Sequence, residues 1–175
     1  DVGANHGRAA LVMCTAISPQ ERIFAFEASE ATCQVAHSNL ALNGMAQSVQ
    51  VINALIAEQT GAALDFYWEH TSGGASLIPG YLGHQTPIKK IAVALDDFCE
   101  IQHLVPDLIK IDIEGAEGRA IAGMRRILAS VRPAVVVELH SWQDMPLARN
   151  AAQILELLPA LNYQMIYLRT RTPVN

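Results

Sequence analysis

Short apolar, β-branched runs alternate with longer stretches of helical spacing along most of this chain, and that alternation leaves few architectures open. Strands that are apolar nearly throughout must be covered on both faces, and strand-helix-strand connections make neighbouring strands parallel. The predicted class is α/β: a mostly parallel sheet with helices on both faces, in a single domain spanning residues 1–175. In such sheets ligands collect at the C-terminal ends of the strands, near the switch in strand order.

The pattern predicts a helix from about Gly7 to Ile17, broken by Ser18-Pro19, and a buried strand over Arg22–Glu27. A second helix begins after a Ser29 N-cap, carries Ala31, Val35 and Leu42 on one face, and stops at Asn43-Gly44. Ser48–Leu55 reads as the next strand. Ala63–Glu69 and Ile88–Leu95 then read as strands with no helix between them, an antiparallel excursion around the Gly/Ser-rich TSGGASLIPGYLG. Asp107–Ile113 returns to the main sheet. A helix over Ala116–Ser130, a strand over Ala134–His140, a helix with Leu147, Ala151, Ile154 and Leu158 on one face, and a last strand over Tyr163–Leu168 complete the pattern.

With 51% apolar and 17% charged residues among 175, the chain has the material for a real core. No apolar run approaches the ~20 residues a membrane-spanning helix needs. The net charge is −5 and the cations are scattered, which disfavours nucleic acid as a partner. Cys14, Cys33 and Cys99 form no CxxC pair, so a zinc knuckle or disulfide scaffold is disfavoured, and a reducing, cytoplasmic setting is expected. Only Asp1 and Val2 precede a glycine-rich turn that normally follows a buried strand. The expectation is a segment of a longer chain whose first strand is reduced to a stub, so targeting signals are not judged from this N-terminus.

Polar residues stand at the predicted strand ends. Asp1-Val-Gly-Ala-Asn-His-Gly7 places Gly3 and Gly7 around a tight turn where backbone N–H groups can approach a ligand. Asn5 and Arg8 occupy the second and third glycine positions of the dinucleotide fingerprint, so a pyrophosphate cradle fits poorly. Alone, this segment reads equally as an ordinary βα turn. Glu27, twenty positions after Gly7 at the end of a buried strand, suits a ribose hydroxyl acceptor. Asn53 stands near the end of the third strand.

Lys110, Asp112 and Glu114 alternate along one strand, as do Glu138 and His140 along the next. In the simplest register Lys110–Glu138 is a structural ion pair, while Asp112 and His140 face the site as a carboxylate and a general base. His140 equally reads as a strand-end cap. Ligation of a divalent metal by Asp112, Glu114, Glu117 and His140 is the minority alternative, and no metal is expected. Gly73 and Gly74 offer hinges for a lid, and the same loop reads equally as a plain surface connection; Tyr67 and Trp68 read as packing residues rather than pocket walls.

DVGANHG, FEAS, SNLALNG, GGASL, VALDDF, and DLIKIDIEGAE followed by RPAVVVELH closely resemble the FkbM family of S-adenosylmethionine-dependent methyltransferases, from Asp1 to about Tyr163. The resemblance implies a Rossmann-like class I methyltransferase fold with S-adenosyl-L-methionine as cofactor. It implies that the loop holding Asp1, Gly3, Asn5 and Gly7 takes the methionine part, that Glu27 binds ribose, and that Asn53 flanks adenine. It implies that Asp112 lies at the reacting end; His140 and Glu114 join it as catalytic candidates on the residues' own alternation along the two strands. The acceptor implied is a hydroxyl on a sugar, glycolipid or polyketide-like small molecule. Ala28 stands where the family often has Pro, and the further antiparallel strand usual at the end of this fold is not expected here. The competing readings are a non-catalytic binding module on the same fold and, less favoured, an NAD-dependent oxidoreductase. No G-x-S-x-G elbow supports a nucleophilic hydrolase.

Overall fold

A computed structural model describes residues 1–18, 21–68, 75–79, 86–141 and 147–174. In chain order the elements are α1 (Arg8–Cys14), β1 (Ile23–Glu27), α2 (Glu30–Leu42), β2 (Val49–Asn53), β3 (Leu55–Ile56), β4 (Ala63–Trp68), β5 (Ala75–Ser76) and β6 (Ile88–Val93). They continue with α3 (Leu95–Gln102), β7 (Leu108–Ile111), α4 (Glu117–Ala122), α5 (Arg125–Ser130), β8 (Ala134–Val137), α6 (Leu147–Ala160), β9 (Ile166–Tyr167) and β10 (Thr172–Pro173).

The main sheet is parallel. β1 pairs with β2 and β7 pairs with β8, both in parallel register. The two pairs are joined by the first residues of the chain: Val2 bridges Phe26 of β1 on one side and Ile111 of β7 on the other, both parallel. Val2 N–H donates to the Lys110 carbonyl at 2.8 Å, and Asp112 N–H donates to the Val2 carbonyl at 3.0 Å. On the other side Gly3 N–H donates to the Phe26 carbonyl at 2.9 Å, and Phe26 N–H to the Asp1 carbonyl at 2.8 Å. The strand stub expected before the glycine turn is therefore seated between β1 and β7, with every ladder group of Val2 paired. Below Asp1 the same two strands wall an apolar groove of about 470 Å³, lined by Phe24, Phe98, Leu108 and Ile109 among others.

The antiparallel excursion is present. β4 runs antiparallel to β6 with Ala63 opposite Ile91, and β5 pairs antiparallel with β4. β6 rejoins the parallel set through β3, which follows β2 after one residue, Ala54. The core packs Val2, Phe26 and Ile111 against Ile121, Met124 and Leu128. No helix among the described residues is long and apolar enough to cross a membrane.

Several expectations change in detail. The strand expected over Ile88–Leu95 ends at Val93, and Leu95–Gln102 forms a helix that the sequence reading lacks. Leu95, Phe98, Cys99 and Gln102 carry the helical spacing, and Asp96 ties this helix to α5 by accepting the N–H groups of Arg126 and Ile127, each at 2.9 Å. The expected helix over Ala116–Ser130 is two helices broken at Gly123, where a Cβ would sit 2.2 Å from the Ala57 carbonyl. Ser29 caps α2 as expected, its Oγ accepting the Thr32 N–H at 3.2 Å. The face with Val35 (43% exposed) and Leu42 (85%) looks outward, however, and Cys33, Ala36 and Leu40 are buried instead. Small residues there let the glycine turn come close: a Cβ on Gly7 would lie 3.4 Å from that of Ala36.

The last expected strand, Tyr163–Leu168, reduces to Ile166–Tyr167 paired with Thr172–Pro173 in an exposed hairpin outside the main sheet. The Lys110–Glu138 pair does not form. The register sets Lys110 opposite Val136, Glu138 is exposed, and Lys110 Nζ binds Asp112 (3.1 Å) and Asp1 (3.2 Å) instead. Gly73, Gly74 and Pro19 lie outside the described residues.

Gly3 is the tightest point of this arrangement. Its φ is +80°, and a Cβ there would fall 1.8 Å from the Asp112 carbonyl oxygen. Gly3→Ala is expected to cost at least about 2 kcal/mol, from left-handed backbone strain plus displacement of the turn. Thermal denaturation checks this: a midpoint lowered by roughly 4 °C or more is expected, and an unchanged midpoint contradicts the close approach.

Candidate active site

The ends of β1 and β7 lie side by side because Val2 holds them there, and a hollow opens above the three. Gly3, Asn5 and Glu27 line it from the β1 side, Asp112 and Glu114 from the β7 side, and Phe66 from β4. Its enclosed room is about 90 Å³, enough for a few waters.

The glycine turn closes on itself, Gly7 N–H donating to the Ala4 carbonyl at 2.8 Å. Glu27 then latches it to the strand end. Glu27 Oε2 accepts the Asn5 N–H at 2.9 Å, and Oε1 accepts the Ser29 N–H at 2.8 Å. Burial pushes the Glu27 carboxyl up, against the opposing pull of the Ser29, Asn5 and Ala28 N–H groups. A carboxylate has about four lone-pair sites, so each Glu27 oxygen retains capacity for a ligand hydroxyl. Asn53 does not line the hollow. Its Nδ2 donates to the Glu27 carbonyl (2.9 Å) and the Ala28 carbonyl (3.1 Å), clamping the end of β1 to the end of β2. Asp1 and Gly7 are not on the lining either: the Asp1 carboxylate is fully buried beneath it against Lys110, and Gly7 precedes α1.

On the other wall Asp112 and Glu114 meet a third expected residue, His140, which does not itself line the hollow. His140 Nε2 lies 3.6 Å from Asp112 Oδ1 and 3.5 Å from Glu114 Oε2. Glu114 reaches this position by a route different from the expected one. β7 ends at Ile111, and Glu114 sits in a turn with φ +52°, so strand alternation does not aim it. Lys110 Nζ supports the other Asp112 oxygen at 3.1 Å. One ligand atom from each of Asp112, Glu114 and His140 falls within 4.8 Å of the others. Carboxylates and imidazoles gather at this spacing with or without a cation, so the spacing does not single out a metal centre.

Three residues of this site were not singled out for these roles from the sequence. Glu117, read there only as a possible metal ligand, is fully buried at the start of α4, and its Oε1 lies 2.9 Å from His140 Nδ1. That hydrogen bond is the main cause pushing the His140 imidazole above its ordinary value, with burial opposing and Glu114, Glu117 and Asp112 adding to it through their charges. Ser76 Oγ–H donates to the Glu114 carbonyl at 2.6 Å, tying β5 to the turn after β7. Phe66 supplies the apolar wall. Glu117 had a sequence signal, since a helix starting after Glu-Gly-Ala returns its first carboxylate toward the strand end. Ser76 had none, because its partner is a backbone carbonyl 38 residues away. Tyr67 is buried in the excursion and does not line the hollow.

Comparison with known proteins bears on the family and the fold. The family model for the methyltransferase FkbM domain matches residues 1–165. The chain is similar to methyltransferase sdnD of Sordaria araneosa, with 25% identity over 185 residues, covering 89% of this chain and 70% of that protein. Its fold is similar to the crystal structure of methyltransferase FkbM from Methylobacillus flagellatus KT, with a TM-score of 0.59 at 18% identity. That match covers 92% of this chain, which spans only 35% of the solved one. The α/β fold is thus the Rossmann-like methyltransferase fold, and with nearly its whole length inside the family match, the chain belongs to the FkbM methyltransferase family.

Proposed function

We propose that the chain is an S-adenosylmethionine-dependent O-methyltransferase acting on a hydroxyl of a sugar, glycolipid or polyketide-like small molecule. The observation that carries this reading is the convergence of Gly3, Glu27, Asp112 and Glu114 on one hollow at the C-terminal ends of parallel strands. The donor set fits the cofactor. Gly3 and Asn5 line the turn side of the hollow, Glu27 retains lone pairs for vicinal ribose hydroxyls, and the Asp112 carboxylate stands across the hollow. Asp1, Asn5 and Gly7 shape the turn on the methionine side. Asn53 acts from outside the hollow, its Nδ2 holding the Glu27 and Ala28 carbonyls and so the end of β1 beneath the ligand.

When bound, S-adenosylmethionine supplies a methyl group already activated by a positive sulfur. The chain's own task is to hold the acceptor oxygen in line at near-attack distance and exclude water. Asp112 and His140 receive the hydroxyl proton as a pair, and Glu114 completes the acidic wall that orients it. Lys110 holds Asp112 in place from behind.

Calorimetry with S-adenosylhomocysteine and with NAD separates the cofactor readings. Binding of the first and not the second is expected; the reverse removes the methyltransferase reading in favour of an oxidoreductase. In a methyl-transfer assay over hydroxyl acceptors, Asp112→Asn should lower turnover about 10²- to 10⁴-fold, the range of general acid–base catalysis, with cofactor binding retained. Binding without transfer to any acceptor identifies a non-catalytic module instead.

The pH dependence has a definite sign. The imidazolium form of His140 cannot take a proton, and its contacts favour that form. Turnover should therefore rise with pH through a midpoint above 6.5, the ordinary histidine value. A midpoint at or below 6.5 excludes His140, held as described, from the proton step.

A further inference from the structure

We propose that Ser76 is a positioning residue: it holds the left-handed turn at Glu114 and so keeps the Glu114 carboxylate on the acceptor side of the hollow. The inference rests on the reading that the acceptor hydroxyl meets Asp112 and Glu114. Ser76 and Glu114 both line the hollow. Glu114 stands at φ +52° and is followed by Gly115 at φ +97°. Glycine adopts such angles freely. For a residue with a Cβ they are unfavourable, and they last only where the surroundings impose them.

Here two side chains from other elements grip the two ends of one peptide unit. Ser76 Oγ–H, from β5, donates to the Glu114 carbonyl at 2.6 Å. Glu117 Oε1, from α4, accepts the Gly115 N–H at 3.0 Å. That carbonyl and that N–H lie in one rigid plane, so the two bonds together fix its orientation. The direction of the Ser76 bond is not in doubt: a carbonyl cannot donate, and the same hydroxyl oxygen accepts the Ile78 N–H at 3.1 Å. Ser76 is only 2% exposed, so removing its hydroxyl leaves the Glu114 carbonyl without that donor and the plane with one hold instead of two. The plane in turn sets where the Glu114 side chain starts. β7 has already ended at Ile111, and the carboxylate reaches 3.5 Å from His140 Nε2 from this turn alone. Ser76 lies opposite Tyr67 in the antiparallel excursion, 38 residues before Glu114. A carboxylate at the end of the parallel sheet is thus aimed by an element outside that sheet.

The test is the crystal structure of Ser76→Ala beside that of the wild type, with turnover and S-adenosylhomocysteine affinity measured on both. In the wild type the Glu114 carbonyl is expected on the Ser76 hydroxyl. In Ser76→Ala the Glu114–Gly115 peptide is expected to turn and the Glu114 carboxylate to leave the wall, with the parallel sheet unchanged. A Glu114 that keeps its positive φ and its place in Ser76→Ala overturns the proposal, whether or not an acceptor is known. With an acceptor in hand, Ser76→Ala should lower kcat about ten- to a hundredfold while S-adenosylhomocysteine affinity stays within about twofold. In a Glu114→Gln background the same change should lower kcat less than about twofold, because a residue that acts through Glu114 has no separate effect once that charge is gone. An equal fold-loss in both backgrounds, the mark of a merely structural role, overturns the proposal. Should Ser76→Ala fail to fold, Ser76→Cys, close in volume and a weaker donor, takes its place with the same deciding outcomes. Failure of the wild-type chain to methylate any hydroxyl overturns the functional reading instead, and the two structures then still decide whether Ser76 holds Glu114.

Discussion

The pairing of Val2 with both β1 and β7 is the interaction on which the rest of the molecule depends. Without it the β1–β2 and β7–β8 pairs share no ladder, and the residues at their ends have no reason to face one another. With it, four backbone hydrogen bonds of 2.8–3.0 Å hold Phe26 and Ile111 one strand spacing from Val2. Glu27 and Asp112 are the next residues along, so the same bonds that close the sheet bring the two carboxylates to one hollow. Gly3 is the residue that permits it, since the chain must leave the ladder there against the Asp112 carbonyl.

Electrostatics then divides the hollow into two halves with different roles. On the β1 side Glu27 spends part of its bonding capacity on backbone N–H groups, which stiffens the glycine turn and still leaves oxygens for a ligand. On the β7 side the charges are arranged around one imidazole. Lys110 supports Asp112, Ser76 holds the Glu114 backbone, and Glu117 fixes His140 from the buried side. Stiff supports behind an open face keep reacting groups at a set distance, which is what in-line group transfer requires.

Much of this could be read from the residues alone, for identifiable reasons. The parallel sheet, the stub at Val2, the antiparallel excursion and the grouping of Gly3, Glu27, Asp112 and His140 follow from local apolar runs and from which residues stand at strand ends. What escaped the sequence depends on register and on long-range contacts. Lys110 pairs with Asp1 and Asp112 rather than Glu138 because the strands slide to set Lys110 against Val136. Asn53 is a clamp rather than a pocket wall because its amide turns inward to two carbonyls. The break at Gly123 answers to the approach of Ala57, more than sixty residues earlier. Glu114 owes its place to a left-handed turn that alternation does not foresee.

The central claim is that one nucleoside-bearing ligand bridges the two strand ends joined by Val2. A crystal structure of the chain with S-adenosylhomocysteine tests this most directly. The account predicts ribose hydroxyls on the Glu27 carboxylate, backbone of the Gly3–Gly7 turn against the amino-acid portion, and the thioether sulfur turned toward Asp112 and His140. A ligand seated in the apolar groove between Phe24 and Ile109, or one that leaves Glu27 without a contact, contradicts it.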